Sequence, residues 1–240
     1  MGKIIKVSDD IFDKQLEQLP KEVTFCKKCV ISNQRPRIRW GLKEDGVCSA
    51  CDYAHEKDNE IDWDERERQL QKVCDEHRST NGSWDVIVPS SGGKDSGMVA
   101  HKLKYKYGMH PLTITWAPFI YTEIGWKNFI ALKDKGFDNI LVHPDGILHR
   151  KLSLLAFDLH GDAWDPFGYG QQYLAYHLSV KYNIPLIFFG ENGEIEYGGE
   201  DKHKNMVEAP MEDWEEIFYK GSSAQKLVDA GLKRNIFTKE

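Results

Sequence analysis

Short apolar segments alternate with helical patterns over the second half of the chain, and this alternation constrains the fold more than any other feature. Four apolar runs are predicted as strands: 84–89, 111–116, 139–143 and 185–190. Three segments between them are predicted as helices: 96–108, 122–136 and 170–183. Strands that alternate with helices form a parallel sheet with helices on both faces. The sequence therefore predicts an α/β fold with a doubly wound parallel sheet.

A glycine-rich turn, SSGGKDS over 90–96, joins the first predicted strand to the first predicted helix. Ligands of open α/β sheets bind at such strand ends, where glycines let the backbone approach an anion and the helix N-terminus favours phosphate. The spacing differs from the Walker A motif. It resembles the PP-loop of the ATP-pyrophosphatase superfamily, which has an adenine nucleotide alpha hydrolase-like fold. The alternative is an ordinary serine- and glycine-rich turn that caps a helix.

The PP-loop resemblance implies that this turn binds ATP and that ATP is cleaved between its α- and β-phosphates, with transfer of AMP to a carbonyl oxygen. Asp95 is then the expected Mg²⁺ ligand, because several phosphate charges must be neutralised together. Lys94 adds a compact positive charge. The residues expected to bind the phosphates are Ser91, Gly92, Gly93, Lys94, Asp95 and Ser96.

Two further strand ends carry candidate ligand-binding residues. The second strand ends at Thr115 and Trp116. Its backbone is expected to receive the adenine while the indole stacks nearby, and core packing is the alternative. His149, Arg150 and Lys151 follow the third strand. They are expected to meet a nucleotide-sugar or carboxylate group of the substrate, with a basic surface cluster as the alternative.

An acidic, glycine-rich segment, GENGEIEYGG, begins at Gly190 after the fourth predicted strand and is expected to join the nucleotide site. Carboxylates beside a phosphate site are costly unless a cation or a positive substrate group pairs with them. Glu191 is therefore a second candidate Mg²⁺ ligand, and Asn192 is a candidate orienting group in catalysis. Glu196 and Tyr197 are expected to face the acceptor. A solvated turn is the alternative for the whole segment.

Two C-x-x-C pairs lie near the start of the chain. Their spacing matches a structural zinc site with four thiolate ligands, which would fold a segment too small to fold by burial alone. Free thiols or an iron–sulfur cluster are the alternatives. We expect a zinc-ribbon module over 1–58, a linking helix over 59–82 and the nucleotide domain over 83–240. The expected zinc ligands are Cys26, Cys29, Cys48 and Cys51.

Charge and composition narrow the class of partner. The chain has 32 basic and 38 acidic side chains and a net charge of −6, so a broad nucleic-acid-binding face is not expected. Arg35, Arg37 and Arg39, with Trp40, lie between the cysteine pairs and allow a local nucleic-acid contact, but a solvated face with one packed tryptophan is favoured. No apolar run reaches the length of a membrane span, and no signal peptide is evident. We therefore expect a cytoplasmic protein.

Several segments together resemble one family, the N-acetyl sugar amidotransferases of bacterial surface-glycan (O-antigen) and flagellin-sugar biosynthesis. The resemblance covers the chain from about Phe25 to Leu232. The segments that carry it are CKKCV with CSAC, PSSGGKDS, TITWAP with YTEIG, DPFGYGQ and GENGEIEYGG.

The resemblance implies that an acetamido group on a nucleotide sugar or nonulosonic acid becomes an acetamidino group, with release of AMP and pyrophosphate. In such families ammonia comes from a separate glutaminase, often with a cyclase-like companion subunit. The chain has no cysteine beyond Cys74 that could act as a glutaminase nucleophile, which agrees with a separate source. Family members look longer at the C-terminal end, so we expect an intact ATP-binding half and an incomplete acceptor site.

Two other functions fit parts of the pattern. Enzymes that thiolate tRNA also combine PP-loops with zinc knuckles, but they use a relay cysteine near the nucleotide or an iron–sulfur cluster. The lack of a cysteine beyond Cys74 weighs against a cysteine relay. A zinc-ribbon adaptor that only senses ATP would bind the nucleotide without releasing pyrophosphate.

Overall fold

The computed structural model describes residues 20, 22–35, 38–191 and 223–238. These residues form two compact units, of which the first ends at Trp63 and the second begins at Asp64. Four residues that the sequence singles out lie outside the described part of the chain: Arg37, Asn192, Glu196 and Tyr197.

The described part of the first unit contains the cysteine pairs and helix α1 (Ser49–Asn59). Isolated antiparallel bridges join Phe25 to Ser32 and Trp40 to Cys48, so the chain before the helix folds back on itself. The sequence does not predict α1, because SACDYAHEKDN is polar and has no apolar periodicity. The helix starts directly after Cys48 and carries the last cysteine of the second pair on its first turn.

The second unit contains a parallel sheet whose strand order is β3-β2-β1-β4. The strands are β1 (Val86–Pro89), β2 (Pro111–Trp116), β3 (Asp138–Val142) and β4 (Leu186–Ile187). All three neighbouring pairs are parallel. Within the described residues, the further helices are α2 (Trp63–Glu76), α3 (Lys94–Tyr105), α4 (Glu123–Asp134), α5 (Gly146–His160), α6 (Asp165–Tyr182) and α7 (Ala224–Lys233).

The side chains of β1 alternate between two hydrophobic cores, as the period of a strand requires. Val86 and Val88 pack with Leu103 of α3 in one core. Ile87 packs with Leu174 of α6 in the other core. Helices therefore cover both faces of the sheet. The predicted α/β class and parallel sheet are confirmed.

Helix limits differ from the prediction, most of all after β3. The sequence predicts no helix over 146–160, yet α5 occupies this segment. Its N-cap is Asp145, which accepts hydrogen bonds from the backbone N–H groups of Ile147 and Leu148. Exposed apolar residues such as Leu154 and Phe157 obscure the amphipathic pattern. The candidate residues that follow β3 are therefore helical.

Other limits shift by a few residues. Helix α3 begins at Lys94 and α6 at Asp165, both earlier than predicted. The early start of α6 fits a proline in its first turn, where no backbone donor is needed. Helix α2 ends at Glu76, and β4 has only two residues. None of the described helices is long and apolar enough to cross a lipid bilayer.

The strand order reverses at β1, which pairs with β2 on one side and with β4 on the other. The loops that follow β1 and β4 thus leave the sheet at neighbouring strand ends. Ligands of open α/β sheets bind at such a switch point, outside the carboxyl ends of the strands. The switch point here lies at the glycine-rich turn after β1.

Candidate functional site

Ser90 holds the glycine-rich turn in place, a role that its position in the motif does not predict. Its hydroxyl accepts a hydrogen bond from the backbone N–H of Gly92 at 3.2 Å and lies 2.9 Å from the hydroxyl of Ser96. Its backbone N–H donates to the carbonyl of Ile114 at 2.8 Å, and its own carbonyl accepts from the hydroxyl of Thr115 at 2.6 Å. The buried side chain of Ser90 thus links the turn to α3, and its backbone links the turn to β2.

Gly92 is the position in the turn where only glycine fits. Its φ is +85°, a left-handed conformation that costs other residues free energy. A Cβ there would also lie 2.7 Å from the backbone nitrogen of Phe129, inside α4. The turn is therefore pressed against the α4 backbone, and the second of the paired glycines, Gly93, remains exposed at the N-cap of α3.

Gly190 brings the segment after β4 to the same place. A Cβ on Gly190 would lie 2.7 Å from the backbone nitrogen and 2.9 Å from the Cα of Ser96. Because these are backbone atoms of the first turn of α3, no larger residue fits without a shift. Glu191 follows directly and is exposed. The structure thus brings Gly190, the first residue of the second glycine-rich segment, against the helix that follows the first.

Lys94 and Asp95 form an ion pair with each other on the first turn of α3. The Lys94 ammonium lies 2.8 Å and 2.7 Å from the two carboxylate oxygens of Asp95. The two side chains are 87% and 50% exposed, so both face solvent. Ser91 and Gly93 are exposed beside them. The surface offered at this helix N-terminus combines a cation, a carboxylate, a hydroxyl and the helix dipole, which suits a phosphate–metal pair.

Thr115 and Trp116, the candidate adenine-binding residues, are both engaged in packing at the end of β2. The Thr115 side chain is buried, donates to Ser90 and accepts from the side-chain amide of Asn139 at 3.0 Å. The Trp116 indole rests on Gly170 of α6, where a Cβ would lie 2.6 Å from its Nε1 atom. Their expected contact with adenine stays a prediction.

The three candidate residues after β3 separate on α5. His149 is buried, whereas Arg150 and Lys151 are exposed. The Lys151 ammonium donates to the backbone carbonyl of Ile236 at 2.9 Å, which ties α5 to the chain after α7. The three therefore do not form one basic cluster. The expected substrate contact of Arg150 stays a prediction.

The four cysteine sulfur atoms of the first unit all lie within 4.8 Å of one another. The Sγ atoms of Cys26 and Cys51 are 3.9 Å apart, and those of Cys29 and Cys48 are 3.6 Å apart. A tetrahedron with Zn–S bonds of about 2.3 Å has edges of about 3.8 Å. The spacing therefore fits a zinc ion held by the expected four ligands, with no open position for catalysis.

Backbone donors already stabilise negative charge in this cluster. Burial raises the pKa of the Cys26 thiol, but backbone N–H groups, including those of Lys28 and Cys48, outweigh burial and lower it to about 6. Burial raises the pKa of Cys48, and burial together with the neighbouring sulfur atoms raises that of Cys51. Four thiolates in one place therefore require a cation, as a structural metal would supply.

Comparison of the sequence with models of known protein families finds no match, and comparison with curated proteins finds none either. The family resemblance carried by the motifs therefore stays a prediction.

The two sites differ in what they can do. The cysteine cluster can hold a metal and stabilise the first unit. The surface formed by the turn after β1 and by Gly190 can bind a multiply charged anion with its counter-ion, because it offers backbone donors, Lys94 and the Asp95 carboxylate. Such a surface suits phosphoryl chemistry, in which positioning and charge neutralisation lower the barrier.

Proposed function

We propose that the chain is an ATP-dependent, AMP-forming amidotransferase that converts the acetamido group of a sugar into an acetamidino group. The observation that carries the proposal is the approach of Gly190 to Ser96. It joins the segment after β4 to the serine- and glycine-rich turn at the switch point of the sheet. The family resemblance of these segments supplies the reaction.

The reaction has two steps and balances without a covalent enzyme intermediate. The acetamido oxygen attacks the α-phosphorus of ATP, the bond between the α- and β-phosphates breaks, and pyrophosphate leaves. Ammonia then adds to the activated carbon, and AMP leaves with the original oxygen. The product is an amidine, and each equivalent of amidine is accompanied by one AMP and one pyrophosphate.

The residues of the turn have separate roles in this proposal. The backbone of Gly92 and Gly93, with Ser91 and Ser96, binds the leaving pyrophosphate, and Lys94 adds positive charge. Asp95 and Glu191 would hold Mg²⁺, which neutralises phosphate charge when it is bound. Binding separates the Lys94–Asp95 pair, because each side chain gains a partner of opposite charge.

Ammonia is expected from a glutaminase subunit, with or without a cyclase-like companion. Thiolation of tRNA by a cysteine relay is disfavoured, because Cys74 has no exposed surface and burial raises its pKa. The other four cysteines form the cluster that could hold a metal. Sulfur transfer would require a reactive, accessible thiol, which Cys74 does not provide.

The test measures AMP and pyrophosphate with an N-acetylated nucleotide sugar, ATP, Mg²⁺ and ammonium. We expect both products only when the sugar and ammonia are present, and we expect Asp95→Asn to abolish their formation. Asp134→Asn is a matched control. Asp134 also pairs with the preceding lysine, Lys133, but it is the last residue of α4 and not part of the first turn of a helix.

Three results would contradict the proposal. Formation of ADP would show that ATP is cleaved between its β- and γ-phosphates. Turnover stimulated by tRNA would support thiolation. Nucleotide binding without release of pyrophosphate would support an adaptor. Retained activity in Asp95→Asn would remove Asp95 from the metal site.

A further inference from the structure

Three polar atoms at the junction of β2, α5 and α6 are buried, and each lacks a hydrogen-bond partner within the described part of the chain. They are Nε1 of Trp116, Nε2 of His149 and Oγ of Ser153. Buried polar atoms in native proteins are almost always paired with protein, water or a ligand. His149 and Ser153 are one helical turn apart on α5, so they share a face of the helix.

His149 is an uncharged hydrogen-bond acceptor in this position. Only 5% of the residue is exposed, and burial lowers its pKa, although a hydrogen bond to the backbone of Pro166 opposes this shift. Proline offers only a carbonyl, so the other ring nitrogen, Nδ1, carries the proton that is donated to it. The neutral ring then presents Nε2 as a lone-pair acceptor.

Aromatic rings surround the imidazole. It stacks on Phe119 with ring centroids 4.3 Å apart, and it lies nearly parallel to Phe167 at 6.4 Å. Trp116 meets it edge to face at 6.1 Å, with an angle of 89° between the rings. These aromatic neighbours carry no charge. An ionised ligand bound among them would have no partner of opposite charge, and burying its charge would cost a large free energy.

Trp116 supplies the complementary donor. An indole N–H can only donate, and Gly170 of α6 fixes its position because the ring lies directly on the glycine backbone. One unpartnered donor and one unpartnered acceptor therefore lie on adjoining rings. A group that both accepts and donates a hydrogen bond satisfies them together.

We propose that Trp116 and His149 form a subsite for an uncharged secondary amide, whose carbonyl accepts from Nε1 of Trp116 and whose N–H donates to Nε2 of His149. Phe119, which is 52% exposed, offers an apolar surface for the methyl group of the amide. Identification of the occupant as the acetamido group of the acceptor rests on the proposed function. The subsite gives Trp116 a role in binding the acceptor in place of the adenine.

The test uses N-methylacetamide as the probe with the full ¹⁵N-labelled chain, in the absence of ATP. We expect it to shift the NMR signals of Trp116 Nε1 and His149 Nε2. N,N-dimethylacetamide lacks the N–H donor, and we expect it to shift the Trp116 signal but to bind several-fold more weakly. Acetate, which is charged, is expected to shift neither signal.

Trp116→Phe keeps an aromatic ring and removes the indole N–H, whereas His149→Phe keeps an aromatic ring and removes Nε2 together with the Nδ1 donor to Pro166. We expect either change to weaken binding of N-methylacetamide about tenfold, the effect of one buried hydrogen bond. His177→Phe, on the exposed face of α6, is the control and should not change binding. The comparison of the two amides needs no variant, so it stands even if one variant does not fold.

The proposal is overturned if N-methylacetamide shifts neither signal at its highest soluble concentration, since ordered water then satisfies both atoms. It is also overturned if acetate acts equally well or if the two amides bind alike. This binding measurement does not depend on whether the protein forms an amidine. The subsite can therefore fail while AMP-forming activity persists, and it can stand while that activity is absent.

Discussion

The backbone of Gly190 packs directly on the backbone of Ser96, so closely that a Cβ on Gly190 would lie 2.7 Å from the Ser96 nitrogen. We expect Gly190→Ala to displace the first turn of α3 and to lower the free energy of unfolding by about 1–3 kcal/mol, as overpacking does. Urea denaturation measures the change. If the turn binds nucleotide, ATP affinity falls as well.

Gly97→Ala is the matched control, because Gly97 lies next to Ser96 in α3 with nothing within 4 Å of its added Cβ. The alanine there should be neutral or stabilising by up to about 1 kcal/mol, since glycine is a poor helix former. Equal stability of the two variants would mean that the contact of Gly190 with α3 is not tight.

Gly170→Ala should displace the Trp116 indole, because a Cβ on Gly170 would overlap the ring. We expect a loss of about 1–3 kcal/mol in the free energy of unfolding and a change in tryptophan fluorescence. Gly168→Ala lies in the same helix with nothing within 4 Å, and it should stabilise the protein slightly. An unchanged indole signal in Gly170→Ala would argue against this packing.

If the cysteine cluster holds a metal, Cys48→Ser should abolish stoichiometric metal binding, because it removes one of four ligands; a structural metal would stabilise the unit by on the order of 10 kcal/mol. Metal analysis of the purified protein, with cobalt substitution to read the ligand geometry, measures this. Cys74→Ala is the control and should keep one metal ion per chain, since Cys74 lies in a hydrophobic core of the other unit. Bound iron in place of zinc would contradict the assignment.

Asp145 should make α5 sensitive to acid. Hydrogen bonds from the backbone N–H groups of Leu148 and Ile147 lower its pKa below the ordinary value of 3.8. A carboxylate with a lowered pKa stabilises the fold above its unfolded-state pKa, and this contribution is lost as the pH falls through the folded-state value.

Asp145→Asn keeps a capping side chain but has no charge to lose. We therefore expect it to be less stable than the unmodified protein near neutral pH, and we expect the difference to shrink below the ordinary carboxyl pKa. Thermal denaturation at several pH values measures the difference. A difference that does not change with pH would mean that the charge of Asp145 contributes nothing.

Sequence patterns predict those features that depend on residue type and on spacing along the chain. The cysteine spacing predicts the cluster of four cysteines, which could hold a metal, and the alternation of strands and helices predicts the parallel sheet. The fourth strand shows where such patterns stop being informative. PLIFFG has the composition of a full strand, yet pairing ends at Ile187, and the chain then leads Gly190 to α3.

Only part of the candidate site can be predicted from the sequence, because the rest depends on contacts between elements that are distant along the chain. The glycines and charged residues of the turn were visible as a motif, but the role of Ser90 depends on partners in β2 and α3 that are distant in sequence. The burial of His149 likewise depends on α6, which supplies Phe167 and Pro166. A sequence shows residue types and spacing, whereas these contacts arise from packing of separate elements.

The contacts of Gly92 with α4 and with Ser90 fix the turn before any ligand binds. The turn loses its conformational entropy when the protein folds, at about 1–2 kcal/mol for each residue fixed. A ligand that arrives later meets a surface already in place, so little of its binding free energy is spent on ordering the chain.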